Sequence, residues 1–356
     1  MKLFIAGGCG EHGRNCFYIK GENSNICIDC GLLAQKSDGI PNLNKEQISS
    51  LKYLFLTHSH LDHSGAIPWL YENGFQGKII ASKHTLAQLS FTLKDSIVLE
   101  EIAPNRNGNL KNINITWGTS GHCIGSVWYL FEFERKKILF SGDYTENTLL
   151  YNCEPIREIS ADLAVLDCAY GKEEASYSVL TEKLIEATIK LLKKHSILLF
   201  PVPKYGRGLE ILRLFQNYKL SSNFYADEHF INELNKIEKN NYWYKEFSNN
   251  LKNSVSLYTE KETKGIVFIS DPQLRSAKAQ QIADNIISKN GYGVMTGTSE
   301  ENSYSYYLIN QGKMCLLTYP VHLNHLQYKN LISKNNFLKT IPYHTSDYKT
   351  EEIVIF

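Results

Sequence analysis

The segment that decides the fold of this 356-residue chain is Thr57-His58-Ser59-His60-Leu61-Asp62-His63-Ser64-Gly65. It follows the apolar run Tyr53–Leu56, which predicts a loop between a strand and a helix. Imidazole nitrogens and carboxylate oxygens are ligands that divalent metals accept. The His-x-His pair places two imidazoles on one side of an extended segment, and the following Asp-His turns toward a second ion. A solvated turn is the alternative, whereas burial in an ordinary core would leave each polar group needing a partner.

The length, net charge and apolar content of the chain limit the kinds of function it can have. The chain is long enough for one large domain or two moderate ones, and its formal charge of +1 provides no global field for nucleic acid or membrane. Any polyanion must therefore be held by a local site. No run is long and apolar enough to span a bilayer, and the N-terminal apolar stretch is too short for a signal peptide, so we expect a cytoplasmic protein.

The eight cysteines are scattered and form no paired framework. Cys27 and Cys30 make a Cys-x-x-Cys, a spacing used in redox and zinc sites. The surrounding residues are typical of a buried strand, however, and no second such pair exists. We interpret these cysteines as core residues.

Alternating apolar runs and turn residues predict an α/β domain with a large mixed sheet. In the first half the predicted strands are Leu3–Ala6, Phe17–Lys20, Ile26–Asp29, Tyr53–Thr57, Lys78–Ala81, Ile113–Trp117, Val127–Phe133, Ile138–Ser141 and Leu163–Asp167. A helix is predicted from Thr85 to Leu93 or beyond.

The pattern changes near Lys172, after which strands and helices alternate and predict a parallel sheet. The predicted helices span Leu180–Leu192, Leu209–Phe215 and Ala277–Ile287, and the strands span Ile197–Phe200, Ile266–Ser270 and Gly293–Thr296. Short strands return at Met314–Leu317, Leu338–Ile341 and Ile353–Phe356. Because no flexible linker separates the two regions with these different sequence patterns, we expect an inserted domain rather than two domains in tandem.

Further polar residues follow later strands. They lie in Ser120-Gly121-His122, Ser141-Gly142-Asp143 and Ile341-Pro342-Tyr343-His344. Each alone is typical of an ordinary turn. Together and in this order, they predict one metal-binding cluster.

The His-x-His-x-Asp-His segment resembles the metal-binding signature of the metallo-β-lactamase superfamily without a departure. That resemblance implies a first ion held by His58, His60 and His122, a second held by Asp62, His63 and His344, and Asp143 as a bridge. It also implies two zinc ions, with manganese as the alternative, and Asp29 as a carboxylate that orients a ligating imidazole. His12, His84, His195, His229 and His325 are not assigned as ligands.

Longer segments resemble the β-CASP nucleases, closest to the endonuclease subunit of the cleavage and polyadenylation specificity factor and its prokaryotic relatives, and ribonuclease J more distantly. The matching segments are Gly7–Cys16, Ile28–Gly31, His58–Trp69, a helix over Phe91–Glu101, Ser120–Ser126, Phe140–Asp143, Asp167–Gly171 and Pro320–Asn324. The departures are Asn324, where the family has an acidic residue, and Thr345 and Ser346, where it has Gly and Glu.

This resemblance implies an αββα sandwich formed by residues 1–172 and 313–356, with a β-CASP domain inserted at 173–312 and the active site in the cleft between them. Diverged motifs in the insertion suggest Gly206, Arg207, Ser270 and Ser303 as substrate-binding residues. The segment Gly206-Arg207-Gly208 has an equally good interpretation as a turn that begins a helix.

The function implied is hydrolysis of RNA to a 5′-phosphate and a 3′-hydroxyl. His322, paired with Asp167, would be the general acid, since a carboxylate favours the protonated imidazole. The rival interpretations are a DNA nuclease of the same branch, a hydrolase of thioesters or lactams, and a non-catalytic subunit. His344 argues against the first, the Asp167–His322 pair against the second, and the complete ligand set against the third. Recruitment by a partner protein is a further hypothesis, because no RNA-binding domain is expected after residue 356.

Overall fold

The computed structural model describes residues 1–33, 38–237, 242–245, 251–348 and 350–356. The chain divides into two compact units. Unit 1 comprises Met1–Glu146, Cys153–Glu174 and His322–Phe356, and unit 2 comprises Asn147–Asn152 and Ala175–Val321. Both combine strands and helices, so the predicted α/β class is confirmed.

Unit 1 contains two sheets, whose strands are numbered in chain order. The first sheet runs β19 (Ile353–Ile355), β1 (Lys2–Gly7), β2 (Cys16–Lys20), β3 (Asn25–Ile28), β4 (Leu51–Phe55), β5 (Lys78–Ala81) and β6 (Ser96–Val98). The second runs β18 (Asn336–Tyr343), β11 (Ser160–Asp167), β10 (Lys136–Phe140), β9 (Val127–Phe133), β8 (Ile113–Thr119) and β7 (Asn107–Leu110).

The two sheets face each other through aromatic side chains. The ring centroid of Phe55 lies 4.7 Å from that of Phe131, and Phe17 lies 5.7 Å from Phe140. Since alternate side chains of a strand point to opposite faces, the intervening residues pack outward. Leu54 joins a buried cluster that includes Cys27 and Cys30, which confirms these cysteines as core residues.

Helices cover the outer faces of both sheets. Ile48 and Leu70 pack beside Leu54, whereas Tyr328 and Leu331 pack beside Leu139. The helices of unit 1 are α1 (Lys45–Ser50), α2 (Leu61–Ser64), α3 (Ile67–Glu72), α4 (Lys83–Gln88), α5 (Leu99–Ile102) and α11 (His325–Ser333). The layers are therefore helix, sheet, sheet and helix, as expected.

Two helix predictions in this unit were wrong. The helix predicted to continue to Leu93 ends at Gln88, and the one predicted over Phe91–Glu101 is replaced by β6 and the short α5. Strand β6 pairs in parallel with β5, with Ile97 opposite Ile80. Pairing with a distant strand thus overrides the local helical pattern.

Unit 2 is built on a six-stranded sheet in which every neighbouring pair is parallel. The order is β14 (Val255–Leu257), β13 (Phe224–Ala226), β15 (Gly265–Ile269), β12 (Ile197–Pro201), β16 (Tyr292–Met295) and β17 (Met314–Leu316). The helices are α6 (Tyr177–Lys194), α7 (Arg207–Asn217), α8 (Glu228–Asn235), α9 (Ala277–Ser288) and α10 (Tyr304–Asn310). A 3-10 turn spans Lys252–Ser254.

The boundaries of the units differ from the predicted insertion at 173–312. Strand β17 pairs with β16, which keeps the chain in unit 2 until Val321. The segment Asn147–Asn152 also belongs to unit 2, where the Glu210 carboxylate accepts hydrogen bonds from three of its backbone amides. The interpretation of unit 2 as a β-CASP domain stays a prediction. In the described part of the chain, none of the helices combines the length and apolar character needed to cross a membrane.

Candidate metal centre

The carboxyl ends of several strands bring the polar residues of unit 1 together. In the first sheet, parallel neighbours β3 and β4 precede Asp29 and the segment His58–His63. In the second, β10, β11 and β18 run in parallel and lead to Asp143, Asp167 and His344. Parallel strands present their carboxyl ends at one edge of a sheet, which is where polar ligand sites form.

Two groups of side chains at this edge could each hold a metal ion. The first contains His58, His60, His122 and Asp143, and the second contains Asp62, His63, Asp143 and His344. Within each group, one nitrogen or oxygen atom from every residue lies within 4.8 Å of the others. Asp143 alone belongs to both of these groups.

The two oxygens of Asp143 face different groups. Its Oδ2 lies 3.6 Å from His58 Nε2 and 3.5 Å from His122 Nε2. Its Oδ1 lies 3.1 Å from His63 Nε2 and 3.3 Å from His344 Nδ1. This arrangement suits a carboxylate that bridges two ions.

Asp29 contacts His63 of the second group through the ring nitrogen that does not face Asp143. Its Oδ2 lies 2.7 Å from His63 Nδ1, and Thr57 donates to its two oxygens from the backbone amide and the hydroxyl at 2.8 Å each. Burial raises the pKa of Asp29, while His63 and Thr57 act in the opposite direction. The contacts hold His63 so that its Nε2 faces Asp143.

The cluster is charged and almost completely buried. Burial alone would raise the pKa of Asp143, but His63, His344 and the other imidazoles hold it well below its usual range. Burial alone would lower the pKa of His63, but Asp143, Asp29 and Asp62 raise it well above the usual value. Each charge is therefore stabilised by groups of opposite sign.

The chemistry of His58 tests whether these residues fit a metal. Burial, followed by the charge of His63, lowers the pKa of His58 well below its usual value and favours the neutral imidazole. Its Nε2 is buried and has no hydrogen-bond partner among the described residues. A neutral imidazole nitrogen with a free lone pair is a normal ligand for zinc and similar ions. The donor set and this unsatisfied atom therefore fit a divalent cation.

Asp167 and His322 form a separate pair beside the two groups. His322 Nδ1 lies 2.9 Å from Asp167 Oδ2 and 3.9 Å from Asp143 Oδ2. Asp167 is completely buried, and its carboxylate also accepts from the backbone amides of Tyr144 and Ala169. A further potential metal group contains Asp143, Asp167, His322 and His344, so the geometry allows His322 as either an acid or a ligand.

Sequence reasoning missed two residues at the site. The side-chain amide of Asn15 lies 2.8 Å from His63 Nε2, and the Tyr343 hydroxyl donates to Asp143 Oδ1 at 3.2 Å. Asn15 stands in a glycine-rich loop, where its type gives no signal of a contact made across the fold. Tyr343 immediately precedes His344, and its position beside a candidate ligand was the available clue.

The proposed substrate-binding residues lie in unit 2 and have structural contacts of their own. Gly206 precedes α7 with φ of 91°, and Arg207 is the first residue of that helix. The Ser270 hydroxyl donates to Asp227, and Ser303 caps α10 by accepting from the Tyr306 amide. These contacts do not test a role in substrate binding, which stays a prediction.

The structure explains how Asn324 can stand where the β-CASP family has an acidic residue. It caps α11 and forms reciprocal hydrogen bonds with Gln327. An amide side chain does this as well as an acidic one.

Comparisons with known proteins agree with this picture. Residues 9–195 match the family model described as Metallo-beta-lactamase superfamily. An RNase J-like protein of Methanocaldococcus jannaschii is 28% identical over an alignment of 240 residues, and the match covers 61% of this chain and 54% of that protein. Endoribonuclease YSH1 of Candida albicans is 24% identical over an alignment of 256 residues, and the match covers 61% of this chain and 29% of that protein.

A third relative and a solved structure extend the comparison. Transcription termination factor FttA of Methanothermobacter thermautotrophicus is 26% identical over an alignment of 258 residues, and the match covers 61% of this chain and 40% of that protein. The matched regions thus span only part of these relatives' lengths. A protein of unknown function from Enterococcus faecalis V583 aligns over 97% of this chain and 94% of its own, with a TM-score of 0.63 and 12% identity, and supports the fold alone.

Proposed function

The chain belongs to the metallo-β-lactamase superfamily, and on that premise we propose that it is a two-metal ribonuclease. The observation that carries this proposal is the position of Asp143, whose two oxygens face two separate groups of imidazole and carboxylate ligands. His58, His60 and His122 would hold one ion, and Asp62, His63 and His344 the other. We propose zinc, with manganese as the alternative, because imidazole-rich sites suit zinc.

The chemistry follows from the side chains around the metals. Metal ions held by these two groups would supply a water activated at neutral pH and would neutralise charge on the phosphoryl oxygens. The chain itself supplies the proton. Asp167 engages Nδ1 of His322, which leaves Nε2 to carry a proton to the leaving oxygen. The products would be a 5′-phosphate and a 3′-hydroxyl.

The names of the relatives support RNA as the substrate. Two of them are described as an RNase J-like protein and an endoribonuclease. The resemblance of the sequence to β-CASP nucleases, including the histidine at 344, favours RNA over DNA. Recruitment by a partner protein belongs to the same proposal and is motivated by the near-neutral charge of +1. A cytoplasmic location is also part of the proposal.

Three substrates distinguish the candidate functions. The zinc-loaded protein is incubated with labelled single-stranded RNA, DNA of the same sequence, and a chromogenic lactam. Cleavage of RNA in preference to both others is the expected result. Degradation of DNA with intact RNA would move the protein to the DNA-cleaving branch, and turnover of the lactam alone would make it a small-molecule hydrolase.

A further inference from the structure

His12 lies beside the metal centre, although none of the potential metal groups among the described residues includes it. Its ring centroid lies 5.7 Å from that of His344, with an angle of 62° between the two rings. The His344 ring in turn lies 5.2 Å from the ring of His322. His12 and His322 therefore contact the same imidazole, and a single ring joins His12 to the proposed general acid.

The loop that carries His12 is bound to the strand end that carries His344. The His344 amide donates to the Gly8 carbonyl at 2.6 Å, and Cys9 pairs with Thr345 in a short β-bridge. Gly8 and Gly13 have φ of 92° and 106°, a conformation that residues with a side chain rarely adopt. These contacts and glycines fix the course of the loop and, with it, the position of His12.

The other side chains of this loop hold it together. The Glu11 carboxylate accepts from the Gly8 amide at 3.2 Å and from Arg14 Nε at 2.5 Å, and Arg14 also donates to two backbone carbonyls. Cys9 Sγ lies 3.6 Å from a carbonyl oxygen of β18 and donates to it. His12, by contrast, is exposed, and its ring forms no hydrogen bond with the part of the chain that the structure describes. Its nitrogens are therefore available to a ligand.

The charges of the acid pair also act on His12. Partial desolvation, followed by the charges of His344 and His322, lowers the pKa of His12 to about 4, while Asp167 acts in the opposite direction. An imidazole has at least one N–H donor in either protonation state. The ability of His12 to donate a hydrogen bond to a ligand is therefore independent of this shift.

The products of the proposed reaction identify the group that lies next to the general acid. Cleavage to a 5′-phosphate and a 3′-hydroxyl makes O3′ of the upstream nucleotide the leaving oxygen, so His322 must reach that atom. The 2′-hydroxyl is carried by the adjacent carbon of the same ribose. It donates and accepts hydrogen bonds, and it is the group that allows a protein to distinguish RNA from DNA.

We propose that His12 donates a hydrogen bond to this 2′-hydroxyl and so contributes to the choice of RNA over DNA. The inference rests on the proposed ribonuclease function and adds a residue that recognises the sugar. It is carried by the exposed, unbonded imidazole of His12 in contact with the same ring as His322. His12 is thus a specificity-determining residue, separate from the metal ligands.

The experiment compares two substrates that differ by one oxygen atom. An RNA oligonucleotide with a mapped cleavage site is prepared unmodified and with a single 2′-deoxyribose on the 5′ side of the cleaved bond. The value of kcat/KM is measured for both with zinc-loaded protein, and the ratio of RNA to deoxy substrate is calculated. The missing hydroxyl also changes the acidity of O3′, but this effect cancels when the ratios of two variants are compared.

Three variants complete the design, each checked for metal content. His12→Phe keeps a ring beside His344 but removes both nitrogens, and it should reduce the ratio by about three- to tenfold, the effect of one hydrogen bond. His12→Gln retains a side-chain donor and should restore most of the ratio. His195→Phe is the matched control, because the His195 ring stacks on Tyr292 in unit 2, and it should keep the wild-type ratio.

The outcomes separate this inference from the proposed function. A wild-type ratio in His12→Phe, in a protein that cuts RNA, would overturn the inference and leave the ribonuclease intact. Equal losses on both substrates, or loss of metal from His12→Phe, would give His12 a general role at the site and would also overturn it. A wild-type protein that cuts neither substrate would contradict the ribonuclease and, with it, this inference.

Discussion

Asp29 Oδ2 lies 2.7 Å from Nδ1 of His63, while Nε2 of the same ring lies 3.1 Å from Asp143 Oδ1. One imidazole thus joins a buried carboxylate behind the site to the carboxylate at its centre. The proton on Nδ1 is held by Asp29, which directs the remaining nitrogen toward the proposed second ion.

Asp29→Asn is expected to weaken metal binding without removing a ligand. An amide in place of the carboxylate has only one acceptor oxygen for His63 and the two Thr57 donors. Loss of such an orienting partner typically costs about 10- to 100-fold in metal affinity. Chelator competition measures the change, and Asp162→Asn is the control, because the Asp162 carboxylate in β11 accepts a hydrogen bond from Lys136. Unchanged affinity in Asp29→Asn would contradict the assigned role.

Asp143→Ala should remove both ions, because each group loses a member. Metal analysis by mass spectrometry after dialysis is the measurement, with His63→Ala expected to lose chiefly the second ion. A protein that keeps two equivalents of metal after Asp143→Ala would show that this carboxylate is not the bridge.

His322→Ala should keep both metals and lose most of its turnover. General acid catalysis contributes about 10²- to 10⁴-fold, so the cleavage rate should fall by that order. Asp167→Asn should have a similar effect, and the double variant should cost little more than either, since the pair acts as a unit. Rates are measured together with metal content.

The metal content also tests the alternative at His322. His322 belongs to a third possible metal group with Asp143, Asp167 and His344. If His322→Ala loses metal, the residue is a ligand, and its role and that of His344 must be exchanged. A wild-type rate would remove the general acid from the mechanism.

The pH dependence of the metal-free protein follows from His344. Burial opposes protonation of this imidazole, but Asp143 and Asp62 outweigh it and raise the pKa from 6.5 to about 10. A raised histidine pKa contributes stability that is fully present below pH 6.5 and is lost as the pH rises toward 10. Urea unfolding of metal-free protein should show this decline, and His344→Gln should flatten it. An identical pH dependence in the variant would contradict the ion pairs of His344.

Sequence patterns predicted the strands more reliably than the helices of unit 1. Strands such as Lys78–Ala81 are short buried runs whose composition alone identifies them. Strand β6 could not be found in this way, because Ser96–Val98 is only partly buried and is defined by pairing with β5. Likewise, β17 ties Met314–Leu316 to unit 2 through a parallel neighbour that no local pattern reveals.

The residues of the site also divide into those that the sequence predicts and those whose contacts appear only in the fold. His58, His122, Asp143 and His344 come at strand ends with a recognisable spacing, so the sequence predicts that they converge. Asn15 and Tyr343 contact that cluster through the three-dimensional arrangement of a glycine-rich loop and a buried strand end. Their residue types carry no metal-binding signal, and their contacts become visible only in the fold.

The most direct test of the ribonuclease is end-mapping of RNA cleaved by the metal-loaded protein, with Asp143→Ala prepared in parallel. We predict internal cleavage that leaves a 5′-phosphate and a 3′-hydroxyl, that is lost on chelation and restored by zinc or manganese, and that is absent in Asp143→Ala. Cleavage that survives chelation, or equal cleavage by Asp143→Ala, would contradict the account.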